Sequence, residues 1–342
     1  MSKTLVIRLS ALGDVAMLIP VLYSCAKKYP QEKFLLVTKK PHLSLFDIRP
    51  LNVDILAVDS KNKHKGINGL RKLIKELSQQ KIDKIADTHD VLRSKIIRIY
   101  FRLKGKKIAV INKGRKEKKT LTRKQNKVLR PLKTSVERYH DVFCRLGYDF
   151  EIDFKSIFEF GTRDFGLIEH IAGPKVNTWI GIAPFAKHRG KIYPLEKMSE
   201  VIKQLAADKH KTLFLFGGKD EQEQLNRLAE PYSNVISTVD KNLTFPTELL
   251  LMSYLDAMLT MDSGNMHLAS LVATPVVSIW GATHSHIGFY GYNQKPENAV
   301  QLEFFCRPCS VYGNKPCYRN NSYECLESIT PEMVVSKLLK IF

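Results

Sequence analysis

The segment AMLTMDSGNMHLASLVATPVVSIW, residues 257–280, decides the fold that this sequence predicts. The apolar run Ala257–Thr260 predicts a strand, Met266–Leu271 a helix and Val276–Trp280 a second strand. Two strands joined through a helix form a βαβ unit, whose strands lie parallel in one sheet. The segment therefore predicts a parallel α/β sheet with a turn of small and polar residues, from Asp262 onward, at its carboxyl edge.

The same alternation of strand and helix patterns extends over nearly all of the 342 residues. The other strands are predicted at Thr4–Arg8, Phe34–Val37, Ile55–Val58, Lys84–Ala86, Lys107–Val110, Trp179–Ala183, Thr212–Phe216 and Val235–Ser237. We therefore predict two doubly wound, Rossmann-like α/β domains that face a central cleft, at residues 1–165 and 166–330, with a closing helix at 331–342. Such folds bind ligands at the carboxyl ends of their strands.

The positive charge is concentrated in the first half of the chain. The formal net charge is +20; residues 1–165 hold 37 Lys/Arg against 17 Asp/Glu, and residues 166–342 hold 17 against 17. The centre of the excess, about 112–133, is almost purely polar, which predicts a long mobile basic loop. The asymmetry predicts a polyanionic partner for the first domain: nucleic acid, an anionic membrane or an acidic substrate.

Targeting signals are not evident. Arg8 and Asp14 interrupt any signal-peptide core, and the uncharged stretch 268–283 carries Pro275 and is short for a membrane span. Six cysteines in a long chain of this kind indicate a reducing compartment. We expect a cytoplasmic protein.

Two turns that follow predicted strands are candidate functional sites, and each has two possible interpretations. Asp14, after Gly13, is either a helix N-cap or a carboxylate at the cleft that serves as general base. The turn Asp262–His267 opens a helix, whose free N–H groups and dipole suit a diphosphate; the alternative is a simple cap with a packed His267. Neither turn has the spacing of a dinucleotide fingerprint.

Two further turns and a cysteine cluster complete the candidate sites. Lys187-His188-Arg189-Gly190-Lys191 suits phosphate binding, although charged loops are often only solvated. The turn Gly217–Glu221 places an acid where ribose hydroxyls could bind. The pattern Cys306-x2-Cys309-x7-Cys317-x7-Cys325 could hold Zn²⁺ or could consist of free packed thiols.

Four motifs together resemble one known family. They are RLSALGDV at 8–15 followed by Pro20, DSGNMHLA at 262–269 with TPVV at 274–277 and Gly281-x-Thr283, KIYP at 191–194, and GGKDE at 217–221. This set resembles glycosyltransferase family 9, the ADP-heptose:lipopolysaccharide heptosyltransferases, which have the GT-B fold. The likeness covers nearly the whole chain.

The resemblance implies roles for individual residues. Asp14 would be the catalytic base, Glu221 would bind ribose, and Leu243, after Asn242, would lie against the base of the nucleotide. Residues predicted to hold the donor phosphates are Lys191, Asp262, Ser263, Gly264, Asn265, Met266 and His267. Residues predicted to contact the acceptor are Arg8, Ser10, Lys116, Lys118, Lys119 and Arg123.

The implied function is inverting transfer of a heptose-type sugar from a nucleotide-diphospho-sugar, ADP-heptose, to the lipid A inner core of lipopolysaccharide. It implies no cofactor, no metal and no nucleic acid, and peripheral contact with the cytoplasmic face of an anionic inner membrane. Two alternatives stay open: a GT-B transferase for another nucleotide sugar, and a basic nucleic-acid-binding protein.

Overall fold

A computed structural model describes residues 2–319 and 322–342. It divides into two compact units: residues up to Lys113 together with Ser135–Thr162, and Gly114–Thr134 together with Arg163–Phe342. The chain passes from the first unit to the second after Thr162, close to the domain boundary predicted at residue 165. The basic segment Gly114–Thr134, however, belongs to the second unit and not to the first.

The first unit contains a five-stranded parallel sheet with the order β3-β2-β1-β4-β5. Its strands are β1 Lys3–Ile7, β2 Lys33–Lys39, β3 Val53–Val58, β4 Lys84–Asp87 and β5 Lys107–Val110. Chain order and spatial order change direction at β1, which makes its carboxyl end the natural place for a ligand. Asp14 follows this strand.

The second unit contains a six-stranded parallel sheet with the order β11-β10-β9-β6-β7-β8. Its strands are β6 Thr178–Ala183, β7 Lys211–Leu215, β8 Val235–Ser237, β9 Ala257–Met261, β10 Val276–Ile279 and β11 Ala299–Val300. The order reverses between β6 and β9, whose carboxyl ends carry the Lys191 and Asp262 turns. The two-residue strand β11 was not predicted.

Thirteen α-helices connect or flank these strands in the described part of the chain. In chain order they are α1 Leu12–Ala16, α2 Ile19–Lys28, α3 Gly66–Ser78, α4 Leu92–Leu103, α5 Arg115–Thr122, α6 Ser135–Arg145, α7 Gly166–Ala172, α8 Leu195–Ala206, α9 Gln222–Ala229, α10 Phe245–Ser253, α11 Gly264–Leu271, α12 Glu324–Glu327 and α13 Pro331–Leu339. Short 3₁₀ turns lie at Lys40–Phe46, Ile157–Phe160, Arg189–Lys191, Lys219–Glu221, Val239–Lys241, Ser285–Ile287 and Pro296–Asn298.

Both sheets have apolar faces covered by helices. The first core joins strand residues such as Leu5 and Ile85 to Ile97 of α4, and all three are fully buried. The second joins Ile180 and Leu259 to helix residues that include Val334 of the closing helix α13. Burial on both faces explains why the strands are nearly continuous apolar runs. This confirms the doubly wound α/β class.

The prediction of a mobile basic loop at 112–133 is wrong over the helix α5. Leu121 of α5 is fully buried against Leu132 and Ile287, and the Lys118 Nζ lies 4.0 Å from the centre of the Phe289 ring. The Lys127 Nζ donates to the carbonyl oxygens of Cys306 and Pro308 at 2.6 and 2.8 Å. The few apolar residues among many cations carry the packing, which composition alone did not indicate.

None of the helices that the structure describes is long and apolar enough to cross a membrane.

Candidate active site

A buried ion pair connects the two central turns of the second sheet. The Lys191 Nζ lies 2.8 Å from the Asp262 Oδ2, and these side chains are only 13% and 4% exposed. Lys191 follows β6 and Asp262 follows β9, and these strands are neighbours at the point where the strand order reverses. A carboxylate would repel a phosphate, so the chemistry suited to Asp262 is to hold the Lys191 ammonium in place. The ammonium is the group suited to an anion.

Close backbone packing fixes the loop that carries Lys191. The Gly190 N–H donates to the Gly313 carbonyl at 3.2 Å, and the Ala282 N–H donates to the Gly190 carbonyl at 2.8 Å. A Cβ on Gly190 would lie 2.8 Å from the Gly313 carbonyl oxygen, and one on Gly313 would lie 2.6 Å from the Lys191 Cγ. Two chain segments therefore meet at a distance that only glycine allows.

The N-terminus of α11 lies beside this pair. Ser263 precedes the helix in extended conformation, and its side chain does not cap it; the Ser263 Oγ lies 3.1 Å from the Thr260 Oγ1. The first N–H groups of a helix have no partner within the helix, so this end suits an anion. Ser263, Gly264 and Asn265 are partly exposed, whereas the side chains of Met266 and His267 are buried. Met266 can therefore offer only its backbone.

The residues predicted for the nucleoside lie at the next two strands. Glu221 follows β7, and its Oε2 accepts a hydrogen bond of 2.8 Å from the Gly218 N–H, which closes the glycine turn. Leu243 follows β8 and is partly exposed, after Asn242 in left-handed conformation. The predicted phosphate residues thus lie at β6 and β9 and the predicted nucleoside residues at β7 and β8. A nucleotide-sized ligand could extend along this edge.

In the first unit, Asp14 lies in the first turn of α1. Its Oδ2 accepts from the Ala11 N–H at 3.2 Å and lies 2.6 Å from an Arg8 guanidinium nitrogen. Arg8 is buried, donates to the Thr88 carbonyl at 2.6 Å and lies over the Tyr139 ring. The Asp14 side chain keeps 30% of its surface exposed. The N-cap of α1 is Ala11 and not Asp14, but Asp14 at the third helical position accepts from the N-cap N–H and is also an accessible carboxylate.

The two neighbouring acids are less exposed than Asp14, which has 30% of its surface exposed against 19% for Asp90. Asp87 is fully buried, accepts from the backbone N–H groups of His89 and Asp90 at 2.9 and 2.8 Å, and lies 3.3 Å from the Arg98 Nε. Asp90 is paired with the same arginine at 3.2 Å. Asp14 is the most accessible carboxylate of the three.

His89 is a positioning residue that the sequence analysis missed. Its Nδ1 accepts from the Leu9 N–H at 3.3 Å, which holds the turn that carries Arg8 and Asp14. Burial, followed by the charge of Arg8, lowers the pKa of His89 to about 3, so the ring is neutral near pH 7. His89 lies two residues after the end of β4, and this position at the carboxyl edge of a predicted sheet could have indicated it.

The predicted acceptor residues are divided between the two units. Arg8 and the partly exposed Ser10 belong to the first, and the basic-segment residues belong to the second. Lys116, Lys119 and Arg123 are exposed, but Lys118 is buried against Phe289. The Lys118 side chain is part of the packing that holds α5, and its contact with the acceptor stays a prediction.

Three cysteines of the C-terminal part, Cys306, Cys309 and Cys325, are thiols outside any disulfide. Cys306 and Cys325 are buried, and burial raises the pKa of Cys325 to about 12. Among residues 2–319 and 322–342, no group of three or more His, Cys, Asp and Glu side chains is arranged to hold a metal ion.

The chain is similar to known glycosyltransferases in both fold and sequence. The fold is that of the GT-B glycosyltransferases: an Escherichia coli ADP-heptose lipopolysaccharide heptosyltransferase II superposes with a TM-score of 0.70 at 18% identity, covering 99% of this chain and 98% of that one. The profile described as glycosyltransferase family 9 (heptosyltransferase) matches residues 70–317. The chain belongs to glycosyltransferase family 9 and is a glycosyltransferase, as its motifs predicted.

Two other proteins are similar over nearly the full length. A lipooligosaccharide heptosyltransferase 2 from Campylobacter jejuni subsp. jejuni is 24% identical over 334 residues, which are 96% of each chain. The E. coli heptosyltransferase WaaC, solved with ADP, has a TM-score of 0.70 at 20% identity and covers 99% of this chain and 100% of its own. The likeness therefore includes both units.

Proposed function

We propose that this chain transfers a heptose from ADP-heptose to the inner core of a lipopolysaccharide or lipooligosaccharide acceptor, with inversion at the anomeric carbon. Family membership and the names of the relatives support heptosyl transfer to such an acceptor. The observation that carries the donor assignment is the edge of the second sheet. Lys191 and the α11 N-terminus suit a diphosphate, and Glu221 and Leu243 lie at the two following strands. WaaC was solved with ADP, which supports the same nucleotide here.

In the proposed reaction, the acceptor hydroxyl attacks the anomeric carbon of the donor in one displacement. The new carbon–oxygen bond forms as the bond from that carbon to the diphosphate oxygen breaks, and the electron pair leaves with the diphosphate. The Asp14 carboxylate accepts the hydroxyl proton. One displacement inverts the configuration.

The diphosphate gains negative charge as it leaves. Lys191, fixed by Asp262, and the backbone N–H groups of residues 263–266 are the groups that would stabilise this charge. Because they are in place before the reaction, they need no reorganisation in the transition state. In this mechanism the protein itself supplies the cation, so we propose that it needs neither a metal nor a cofactor.

The acceptor is an anionic membrane lipid, and we propose that the exposed cations Lys116, Lys119 and Arg123 attract its phosphates. We further propose that the enzyme works at the cytoplasmic face of the inner membrane. We expect no nucleic-acid binding, since the family and the relatives are heptosyltransferases.

The test is a transfer assay with purified protein and a heptose-deficient inner-core acceptor. ADP-heptose should give product, whereas the GDP- and UDP-activated sugars should not, and the product linkage should be inverted by NMR. Activity should persist after chelation of divalent metals. A donor at 100 times its Kd should also stabilise the fold by about 2.7 kcal/mol. Transfer from another nucleotide sugar in place of ADP-heptose would refute the donor assignment.

A further inference from the structure

Helix α4 of the first unit has an apolar stripe on the side that faces away from its core. Leu92, Ile99 and Leu103 are 75%, 56% and 82% exposed. The inward side of the same helix is formed by Ser94, Ile97 and Phe101, all buried. At 3.6 residues per turn, Leu92, Ile99 and Leu103 fall within about 40° of one another and opposite the buried residues. The stripe spans roughly 16 Å along the helix.

Cations flank this stripe, and no acid interrupts them. Residues 91–108 contain seven basic side chains and no Asp or Glu: Arg93, Lys95, Arg98, Arg102, Lys104, Lys106 and Lys107. Lys95 and Arg102 lie along one side of the stripe, and Lys104 follows its end. These three are exposed, and within the described part of the chain none of them forms an ion pair with a carboxylate. Arg98, by contrast, is tied to Asp87 and Asp90.

We propose that α4 is the element by which this enzyme docks on an anionic phospholipid bilayer, with Leu92, Ile99 and Leu103 inserted at the headgroup level and Lys95, Arg102 and Lys104 against lipid phosphates. Transfer of these exposed apolar side chains from water into an apolar environment would lower the free energy of the protein. Large apolar side chains beside Lys and Arg on one helix face are the composition of interfacial helices, which bind through apolar burial and attraction to anionic lipid. Charge complementarity therefore selects an anionic bilayer over a second copy of this basic chain.

This inference deepens the proposed function in one respect, namely that the acceptor is a lipid. It assigns membrane contact to α4 and leaves the exposed cations of the basic segment for the acceptor headgroup. The helix lies on the bilayer and does not cross it. It is an interaction surface with no part in the chemical step, so binding and catalysis can be measured separately.

The experiment is co-sedimentation of the full-length protein with vesicles of phosphatidylethanolamine and phosphatidylglycerol, compared with phosphatidylcholine alone. Wild type should bind the anionic vesicles, and this binding should weaken with salt. The double variant Ile99→Asp/Leu103→Asp should bind at least about tenfold more weakly, through loss of apolar burial and added repulsion. The matched control is Leu51→Asp, at a side chain that is 99% exposed in the same unit but away from α4; it should bind as wild type does.

A second variant, Lys95→Gln/Arg102→Gln, leaves the apolar stripe and the buried side of α4 unchanged, so it protects the test against misfolding. It should also lose roughly tenfold on anionic vesicles. Both α4 variants should keep wild-type transfer to a water-soluble inner-core acceptor without acyl chains. Loss of that transfer in the wild type would count against the proposed function, not against the docking surface.

Three results would overturn the inference. They are absence of wild-type binding to anionic vesicles, equal binding of wild type and both α4 variants, and loss of binding in Lys116→Gln/Lys119→Gln but not in the α4 variants. A smaller oligomer for the Ile99→Asp/Leu103→Asp variant than for wild type, without a change in vesicle binding, would assign the stripe to a second copy of the chain instead.

Discussion

Lys191 and Asp262 are 71 positions apart in the sequence, yet their side chains form an ion pair of 2.8 Å that is nearly enclosed by protein. The pair joins the turns after the two central strands of the second sheet. Removal of one partner from such a pair destabilises the fold, because the other charge is then buried without a counter-charge. The donor diphosphate is the group that could compensate for a missing Asp262.

Asp262→Asn tests this compensation. The variant should lose up to about 3 kcal/mol of stability without nucleotide, since Lys191 then lacks its counter-charge. ADP should stabilise the variant more than it stabilises wild type, because the phosphates replace the missing carboxylate. Thermal denaturation with and without ADP measures both effects. The control Glu200→Gln, which breaks the exposed pair with Lys203, should change neither. An equal ADP shift in wild type and Asp262→Asn would contradict the compensation.

Lys191→Ala should weaken ADP binding by roughly 1.5–3 kcal/mol, the contribution of one charge-assisted contact. Turnover should fall with it, because the ammonium is proposed to contact the phosphates both before and during transfer. Isothermal titration with ADP and a transfer assay measure the two quantities. Lys187→Ala provides the matched control, an exposed lysine of the same loop, and should retain nearly full affinity. Unchanged ADP binding in Lys191→Ala would place the donor elsewhere.

Gly313→Ala should displace Lys191 without removing its charge. The backbone φ at Gly313 is +73°, and an added Cβ would lie 2.6 Å from the Lys191 Cγ. We expect weaker ADP binding beyond the loss of stability that left-handed strain alone causes. Gly105→Ala separates the two effects, because Gly105 has a φ of +71° and no atom within 4 Å of the added Cβ. Gly105→Ala should lose stability but retain ADP affinity; identical ADP binding in both variants would show that Gly313 does not fix Lys191.

Asp14→Asn should lower kcat by about 10²–10⁴-fold with ADP affinity nearly unchanged, since the variant lacks the proton acceptor. The fold should persist. Asparagine can still accept from the Ala11 N–H and from Arg8, and Arg8 keeps its hydrogen bond to the Thr88 carbonyl, so the loss of stability should be modest. Steady-state kinetics and a melting curve test this, with Asp54→Asn at an exposed site of β3 as control. Near wild-type turnover in folded Asp14→Asn would show that Asp14 caps the helix and is not the catalytic base.

Ionisation of Glu248 should lower the free energy of unfolding as the pH rises. Burial raises the pKa of Glu248, in the first turn of α10, to about 7 from an ordinary value of 4.5. Between these values the unfolded chain releases this proton while the folded chain retains it, so folding is favoured at the lower pH. Glu248→Gln cannot ionise, so its stability relative to wild type should increase from about pH 5 to about pH 8.

Urea denaturation at both pH values measures this difference. Glu196→Gln, in the first turn of α8 and exposed, serves as the control and should show no comparable trend. A stability difference between Glu248→Gln and wild type that is the same at both pH values would refute the role of Glu248.

Local periodicity determined most of the secondary structure. The predicted bounds of β5 and β8 are those of the structure, because each is a short apolar run bounded by polar residues. The segment between β1 and β2 forms two helices, α1 and α2, with Pro20 in the first turn of the second. Helix α7 was not predicted, because its seven residues are too few for a clear period.

The sequence by itself also placed Asp14, Lys191 and the residues from Asp262 at turns on the carboxyl edges of two parallel sheets, because strand order along the chain and the hand of βαβ units determine those positions. Only the tertiary structure decided which side chains share a contact. It paired Asp262 with Lys191, placed Gly313 against that lysine, and buried Lys118 and Leu121 of a segment whose composition predicted a loop. These contacts join residues far apart in sequence, and their free energy depends on burial, which no local pattern of residues specifies.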